Sequence, residues 1–257
     1  MSAIPREAAV GFERGAADYE RGRPGYPDAA VALLARELGI GPGRVVVDLA
    51  AGTGKLTRSL VGLGAELVAV EPVAGMREQL MRAVPGVEVI AGTAERLPLA
   101  DGAVNAVLVA QAFHWFDIPA AAAEIHRVLA AGGGLGVMRN EWDESVAWIA
   151  RMRALIAEHA GQPPRRHAQH WRGPLEATGL FTPLAEATFP NPARVSLDTL
   201  LARVASLSYV ALLESDARRA LLDAVARLVR DRQLLGRDGR LDTPYRTDAA
   251  WCRRRDG

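Results

Sequence analysis

The chain has 257 residues, 49% of them hydrophobic and 24% charged. That is enough apolar material for one buried core, with an ordinary globular charge load. Thirty-one basic residues against thirty acidic ones leave a net charge of +1, which lacks the basic excess of a nucleic-acid binder.

The single cysteine, Cys252, allows no intramolecular disulfide and fits a reducing compartment. The first twenty residues lack an apolar signal segment. No charge-free stretch is long enough to cross a membrane, so the expected location is the cytoplasm.

Residues 6–23 read as a broken helical lead-in, ended by the turn Pro24-Gly25-Tyr26-Pro27. Pro27 or Asp28 then opens a helix with Val31, Leu34, Ala35 and Leu38 on one face, closed by Gly39 to Gly43. Arg44 to Leu49 is a short β-branched run bounded by turn residues, the pattern of a buried parallel strand. The Gly-rich stretch Ala50 to Gly54 follows, and a helix over Lys55 to Gly62. Further strands are expected at Leu67–Val70, Val87–Ile90, Val104–Ala110 and Leu135–Met138, with helices over 73–84 and 120–129. Gly132-Gly133-Gly134 is expected to stop the second of these helices.

This alternation predicts an α/β fold: a doubly wound, mostly parallel, Rossmann-like sheet. After residue 140 the pattern changes. A helix is expected over 144–159, a polar loop over 161–174 and a strand piece around 184–189. Helices follow at about 196–207 and 214–235, and residues 240–252 return as edge strands. The expected organisation is a single domain, 1–257. Its core covers about 28–139, with a lid over 1–27. A helical acceptor-side cap and edge strands over 140–257 cover the ligand-binding edge of the sheet.

The Gly-rich turn Asp48-Leu49-Ala50-Ala51-Gly52-Thr53-Gly54-Lys55-Leu56-Thr57 carries the chemistry. Gly52 and Gly54 let the backbone turn sharply and approach a ligand. A P-loop would need glycine at Leu49 and Ser or Thr at Leu56, so that reading fails. A dinucleotide fingerprint would need a third glycine where Thr57 stands. Glu71, at the end of the second strand, suits the ribose of either a dinucleotide or another adenosine ligand. Asp48 beside the turn is awkward for a pyrophosphate. It is compatible with S-adenosylmethionine (SAM), which carries an ammonium and a sulfonium but no phosphate. Asp48 also suits a plain cap of the turn.

Val45 to Thr57 resembles motif I of the class I SAM-dependent methyltransferases, with Ala50 where many members have the first glycine. Ala69-Val70-Glu71-Pro72 resembles the motif whose acid holds the ribose hydroxyls. Gly92 to Leu99 resembles the segment embracing the adenine, with Thr93 where many members carry an aspartate. Val109 to Asp117, containing His114-Trp115-Phe116, is similar to the His-Trp-Phe subgroup related to trans-aconitate methyltransferase-like proteins. Tyr19, Arg23, Pro24, Tyr26 and Pro27, and the late Pro244-Tyr245-Arg246-Thr247, resemble that subgroup as well.

The resemblance implies SAM as cofactor. Its methionine end would meet Tyr19, Arg23, Asp48 and the turn residues Ala50, Gly52, Thr53 and Gly54. Its adenosine end would meet Glu71, Pro72, Met76, Thr93, Ala94 and Glu95, with Gln111 near the methyl group. His114 is the candidate general base, its imidazole titrating near neutrality. Phe113, Trp115, Asn140 and Trp142 are the candidate acceptor-side residues; the aromatic ones equally suit ordinary core packing.

His159, His167 and His170 do not form a metal set, because Pro163-Pro164 interrupts them and no Cys or acid completes the site. The expected activity is methyl transfer to an oxygen of a small molecule, with no nucleic acid or membrane as partner; the oligomeric state is open. A nicotinamide-dependent oxidoreductase, a methyltransferase for RNA or protein, and a SAM-binding protein that does not methylate are the alternatives.

Overall fold

The computed structural model describes residues 23–160 and 171–256. Tyr19, His167 and His170 lie outside them.

The first helix, α1 (Asp28–Leu38), starts after Pro27 and ends at Gly39 in the left-handed region, φ 67°. There follow β1 (Val45–Leu49), α2 (Lys55–Val61), β2 (Glu66–Val70), α3 (Ala74–Ala83), β3 (Glu88–Ile90) and β4 (Val104–Ala110). A single 3-10 turn, Phe113–Trp115, leads to α4 (Ile118–Val128). Asp117 caps α4 by accepting from Ala120 N at 3.4 Å, so the helix begins just before the expected Ala120. The remaining elements are β5 (Leu129–Trp142), α5 (Ala147–Ala160), α6 (Arg172–Ala177), β6 (Ala185–Ser196), α7 (Leu197–Ala205), α8 (Ser208–Ala211), α9 (Ser215–Asp231) and β7 (Arg240–Arg253).

The seven strands form one sheet in the order β3-β2-β1-β4-β5-β7-β6. The first five run parallel; β7 pairs antiparallel with both β5 and β6. Side chains alternate between the two faces, as the period of two in a strand requires. Val47, Val107 and Val109 pack under α4, while Val46, Ala106 and Leu108 pack under α1 and α2. Both faces are covered, which is why these strands are continuous apolar runs.

Three expectations change. First, β5 is fourteen residues long and runs through the triple glycine instead of starting after it. The register slips between Val104 and Ala106, and Gly134 and Gly136 then lie where helix α1 crowds the sheet. A Cβ on Gly136 would stand 2.5 Å from Leu108 Cδ2 and 2.9 Å from Leu38 Cδ1. Second, β6 extends to Ser196 through Pro190 and Pro192. It is the edge strand, where a missing N–H is tolerated. β7, expected at the edge, lies between β5 and β6. Third, the expected polar loop ends early, because Arg172–Ala177 is helical and Trp171 is buried against Phe113, ring centroids 4.9 Å apart.

Helices α5, α7 and α9 share a separate core with the ends of β5 and β7. It holds Trp142, Ile149, Met152, Leu200, Val204, Leu221, Val225 and Tyr245. These helices fall in the stretch after residue 140 where a cap was expected. No helix among the described residues is long and apolar enough to cross a membrane.

Candidate functional site

The parallel strands β1 and β4 end side by side, and the chain leaves both with non-glycine residues at positive φ: Ala50 at 55° and Gln111 at 62°. Such conformations cost on the order of 1–2 kcal/mol each and persist where the surroundings impose them. Gln111 is held by its own N–H donating to Met138 O at 2.9 Å and by Nε2 donating to Asn140 O at 3.0 Å. Gly52 and Gly54 continue the turn at φ 59° and 83°. Gly54 lies so close to α3 that a Cβ would meet Leu80 Cγ at 3.0 Å and Val84 Cγ2 at 3.1 Å.

Three cavities surround this point, and Gln111 lines all of them. The first, about 480 Å³, is walled by Arg23, Tyr26, Asp48, Ala50, Gly52, Thr53, Lys55, Asn140 and Arg203. The second, about 710 Å³, is walled by Ala50, Gly52, Glu71, Pro72, Met76, Thr93, Ala94, Glu95, Trp115 and Phe116. The third, about 440 Å³, is walled by Phe113, His114, Arg139, Trp171, Arg172 and Asp248.

Two buried carboxylates flank the turn. Asp48 is 1% exposed; Oδ2 accepts from Thr57 Oγ1 at 2.6 Å, and Oδ1 has no hydrogen-bond partner. Burial pushes its pKa up to about 7, the Thr57 hydrogen bond opposes this, and the nearby Glu71 charge adds to it. A lone buried acceptor is costly unless a ligand supplies the donor. Glu71 accepts from Gly52 N and Val73 N, both at 2.9 Å, and thereby ties the Gly-rich turn to the end of β2. Burial raises its pKa as well, against those two N–H groups. Each Glu71 oxygen keeps a second lone pair, enough to accept from a diol.

Among the described residues, the cofactor candidates other than Gly54 line the first two cavities. Gly54 shapes the turn as the residue preceding α2. Trp115, expected on the acceptor side, lines the second cavity with Glu71 and Met76. Glu95 also accepts from Asp117 N at 3.0 Å. Phe113 is 2% exposed and packs on Trp171 while lining the third cavity beside His114.

Trp142, expected to line the acceptor pocket, lines none of these three cavities. It is stacked on Tyr245 in the cap core, with the Arg203 guanidinium 4.8 Å from its ring centroid. β5 is long enough to carry Trp142 past the edge of the cavities. Asn140 does reach the first cavity, but its side chain is engaged with backbone of residues 24 and 25. His159 turns back on its own helix, Nδ1 lying 2.9 Å from Leu155 O. Among the described residues no three His, Cys, Asp or Glu side chains converge as a metal set.

Some residues at or behind these walls escaped the sequence reading. Thr57, read there only as a missing glycine, is the partner of Asp48. Arg203 and Asp248 come from the cap and β7, where no motif marks them.

Comparison with known proteins agrees with this geometry. A methyltransferase-domain family model matches residues 47–137. An uncharacterised methyltransferase of Mycobacterium tuberculosis is 36% identical over 254 residues, covering 96% of this chain and 97% of the relative. A demethylmenaquinone methyltransferase of Beutenbergia cavernae is 33% identical over 164 residues, covering 60% of this chain and 56% of that protein. A proposed type II methyltransferase of known structure from Anaeromyxobacter dehalogenans superposes with a TM-score of 0.63 at 26% identity, covering 90% of this chain and 96% of that one. The oxidoreductase reading gives way to these matches and to the Asp48–Thr57 pair. With this sheet order, this turn and these relatives, the chain belongs to the class I SAM-dependent methyltransferases.

Proposed function

We propose that this enzyme methylates an oxygen of a small molecule, a carboxylate or a hydroxyl, that enters beside His114. The observation that carries the reading is Gln111 at the shared corner of three cavities. Two cavities match the two ends of the cofactor, and the third is left for an acceptor.

The residues fit SAM. The orphaned Asp48 Oδ1 in a cavity also lined by Arg23 suits a group bearing an ammonium and a carboxylate. Glu71, fixed by two backbone N–H groups, is preset to accept ribose hydroxyls. Trp115, Met76 and Thr93 to Glu95 supply an apolar and polar cleft for the adenine. Bound there, SAM supplies a methyl group activated by its sulfonium.

The chain's own part is to align the acceptor and exclude water, and positioning alone accounts for much of such a rate. An ionised carboxylate needs no base. A hydroxyl does, and His114 on the third cavity is placed to take its proton. Phe113 holds that cavity's wall in place through Trp171. The relative named for demethylmenaquinone supports a small-molecule acceptor, as does the near-neutral charge of the chain. The His114-Trp115-Phe116 run supports the trans-aconitate methyltransferase-like subgroup.

The test is S-adenosylhomocysteine (SAH) formation from SAM against a panel of carboxylic acids, phenols, aliphatic alcohols, amines and thiols, with and without His114→Ala. Turnover of a hydroxyl acceptor that H114A abolishes supports the base role, and turnover of a carboxylate that H114A spares supports the base-free route. Methylation of nitrogen or sulfur acceptors alone would overturn the oxygen assignment.

A further inference from the structure

The structure assigns Asn140 a role as a positioning residue for the cofactor: its side chain clasps residues 23–27 as a strap on the first cavity. This rests on that cavity holding the methionine end of SAM.

Asn140 is 5% exposed on β5. Its Nδ2 donates to Gly25 O at 2.9 Å and to Pro24 O at 3.4 Å. Its Oδ1 accepts from Thr247 Oγ1 at 2.5 Å and from Asn191 Nδ2 at 3.1 Å. Asn191 Nδ2 also donates to Gly25 O at 2.9 Å. A carboxamide has two donor hydrogens and two acceptor lone pairs, and all four are used here. The orientation is fixed, because the carbonyls of Pro24 and Gly25 can only accept.

The clasp therefore joins four separate parts of the chain: the strap, β5, β6 and β7. It acts on two walls of one cavity. Arg23, Pro24 and Tyr26 on the strap line it, and so does Gln111, whose Nε2 donates to the Asn140 carbonyl. Residues 23–27 contain no helix or strand, so these side-chain bonds take the place of backbone pairing. The arrangement gives a physical purpose to the distant Pro24-Gly25-Tyr26 and Pro244–Thr247 segments: each supplies a partner to the same side chain.

An aspartate in place of Asn140 would be nearly isosteric and would keep an acceptor for Thr247 and Asn191. It would set a second acceptor against two carbonyls, so the strap would be released while the sheet pairing stays.

The experiment measures SAH dissociation rate and Kd on the full chain by stopped-flow and calorimetry, with thermal midpoints alongside. Asn140→Asp is expected to raise the dissociation rate and Kd at least tenfold. Thr247→Val is expected to show a smaller loss in the same direction, and Thr247→Ser near wild-type behaviour. Thr243→Val is the control. It removes another buried bond between β7 and β6, Thr243 Oγ1 to Ala193 O at 3.2 Å, away from the strap, and leaves SAH binding unchanged. If N140D does not fold, Asn191→Ala carries the test: it removes one bond to Gly25 O and one to Asn140 Oδ1 and is expected to raise the dissociation rate about threefold.

Wild-type SAH kinetics in folded N140D, or in N191A where N140D does not fold, would overturn the clasp. So would equal loss in T247V and T243V. Failure of the wild type to bind SAH at all would instead overturn the cofactor assignment beneath it.

Discussion

Replacing Asp48 by asparagine is expected to stabilise the free protein and weaken its hold on the cofactor. Burial raises the Asp48 pKa from 3.8 to about 7. Between those values the folded state binds more protons than the unfolded one, so this group favours folding most below about pH 4. That contribution is lost progressively as pH rises through about 7. At about pH 8, keeping the carboxylate ionised and buried costs on the order of 4 kcal/mol. The carboxamide of the Asp48→Asn variant is neutral at every pH and keeps an oxygen for the Thr57 hydroxyl, so the variant is relieved of much of this cost. Its advantage over the wild type should be larger at about pH 8 than at about pH 6 by roughly 1 kcal/mol.

Binding should run the other way. An ammonium against Oδ1 favours the carboxylate, so SAH binding near pH 7 should expel about half a proton from Asp48. Titration calorimetry in two buffers of different ionisation enthalpy reads that number. The Asp48→Asn variant is the blank for the ligand's own amine. Loss of a charge-assisted hydrogen bond of about 1.5–3 kcal/mol predicts roughly a 10- to 150-fold rise in Kd. A variant that binds SAH as tightly as wild type, or equal proton release by both, would refute the ammonium assignment.

Gly54→Ala places a side chain at φ 83° with its Cβ 3.0 Å from Leu80 Cγ, and should lower stability by about 1–3 kcal/mol in urea unfolding. His114→Ala should lower kcat on a hydroxyl acceptor by about 100-fold or more while leaving the SAH Kd within a factor of about two; unchanged turnover would remove the base role. Trp142→Ala empties the centre of the cap core and should cost about 3–5 kcal/mol, read as a fall in thermal midpoint. An unchanged midpoint would contradict its placement against Tyr245 and Arg203.

The core of this fold was legible because it is local. Val45 to Leu49 and Val104 to Ala110 are apolar runs between turn residues, and such runs are strands wherever both sheet faces are covered. The positions of Asp48, Gly52 and Glu71 followed from the ends of β1 and β2.

What escaped was non-local. The triple glycine signalled a break, yet its Gly134 serves the close approach of Leu38 to β5, as Gly136 does for Leu38 and Leu108. A strand piece was expected only around 184–189, yet β6 runs on through Pro190 and Pro192 because it is an edge. Asn140 was expected at a pocket from its place after the expected strand Leu135–Met138, and it does line the first cavity from within β5. Its actual partners lie 51 to 116 residues away, a separation no local pattern encodes. Trp142 lies away from those three cavities for a related reason: β5 continues beyond them and carries it into the core shared by α5, α7 and α9.

The measurement that tests the central claim most directly is parallel calorimetric titration of the folded protein with SAM, SAH and NAD. Binding of SAM and SAH but not NAD, abolished or strongly weakened in Glu71→Ala and Asp48→Ala, is the predicted result. Binding of NAD, or SAM and SAH affinities indifferent to both carboxylates, would contradict the assignment of the two cavities beside Gln111 to the cofactor.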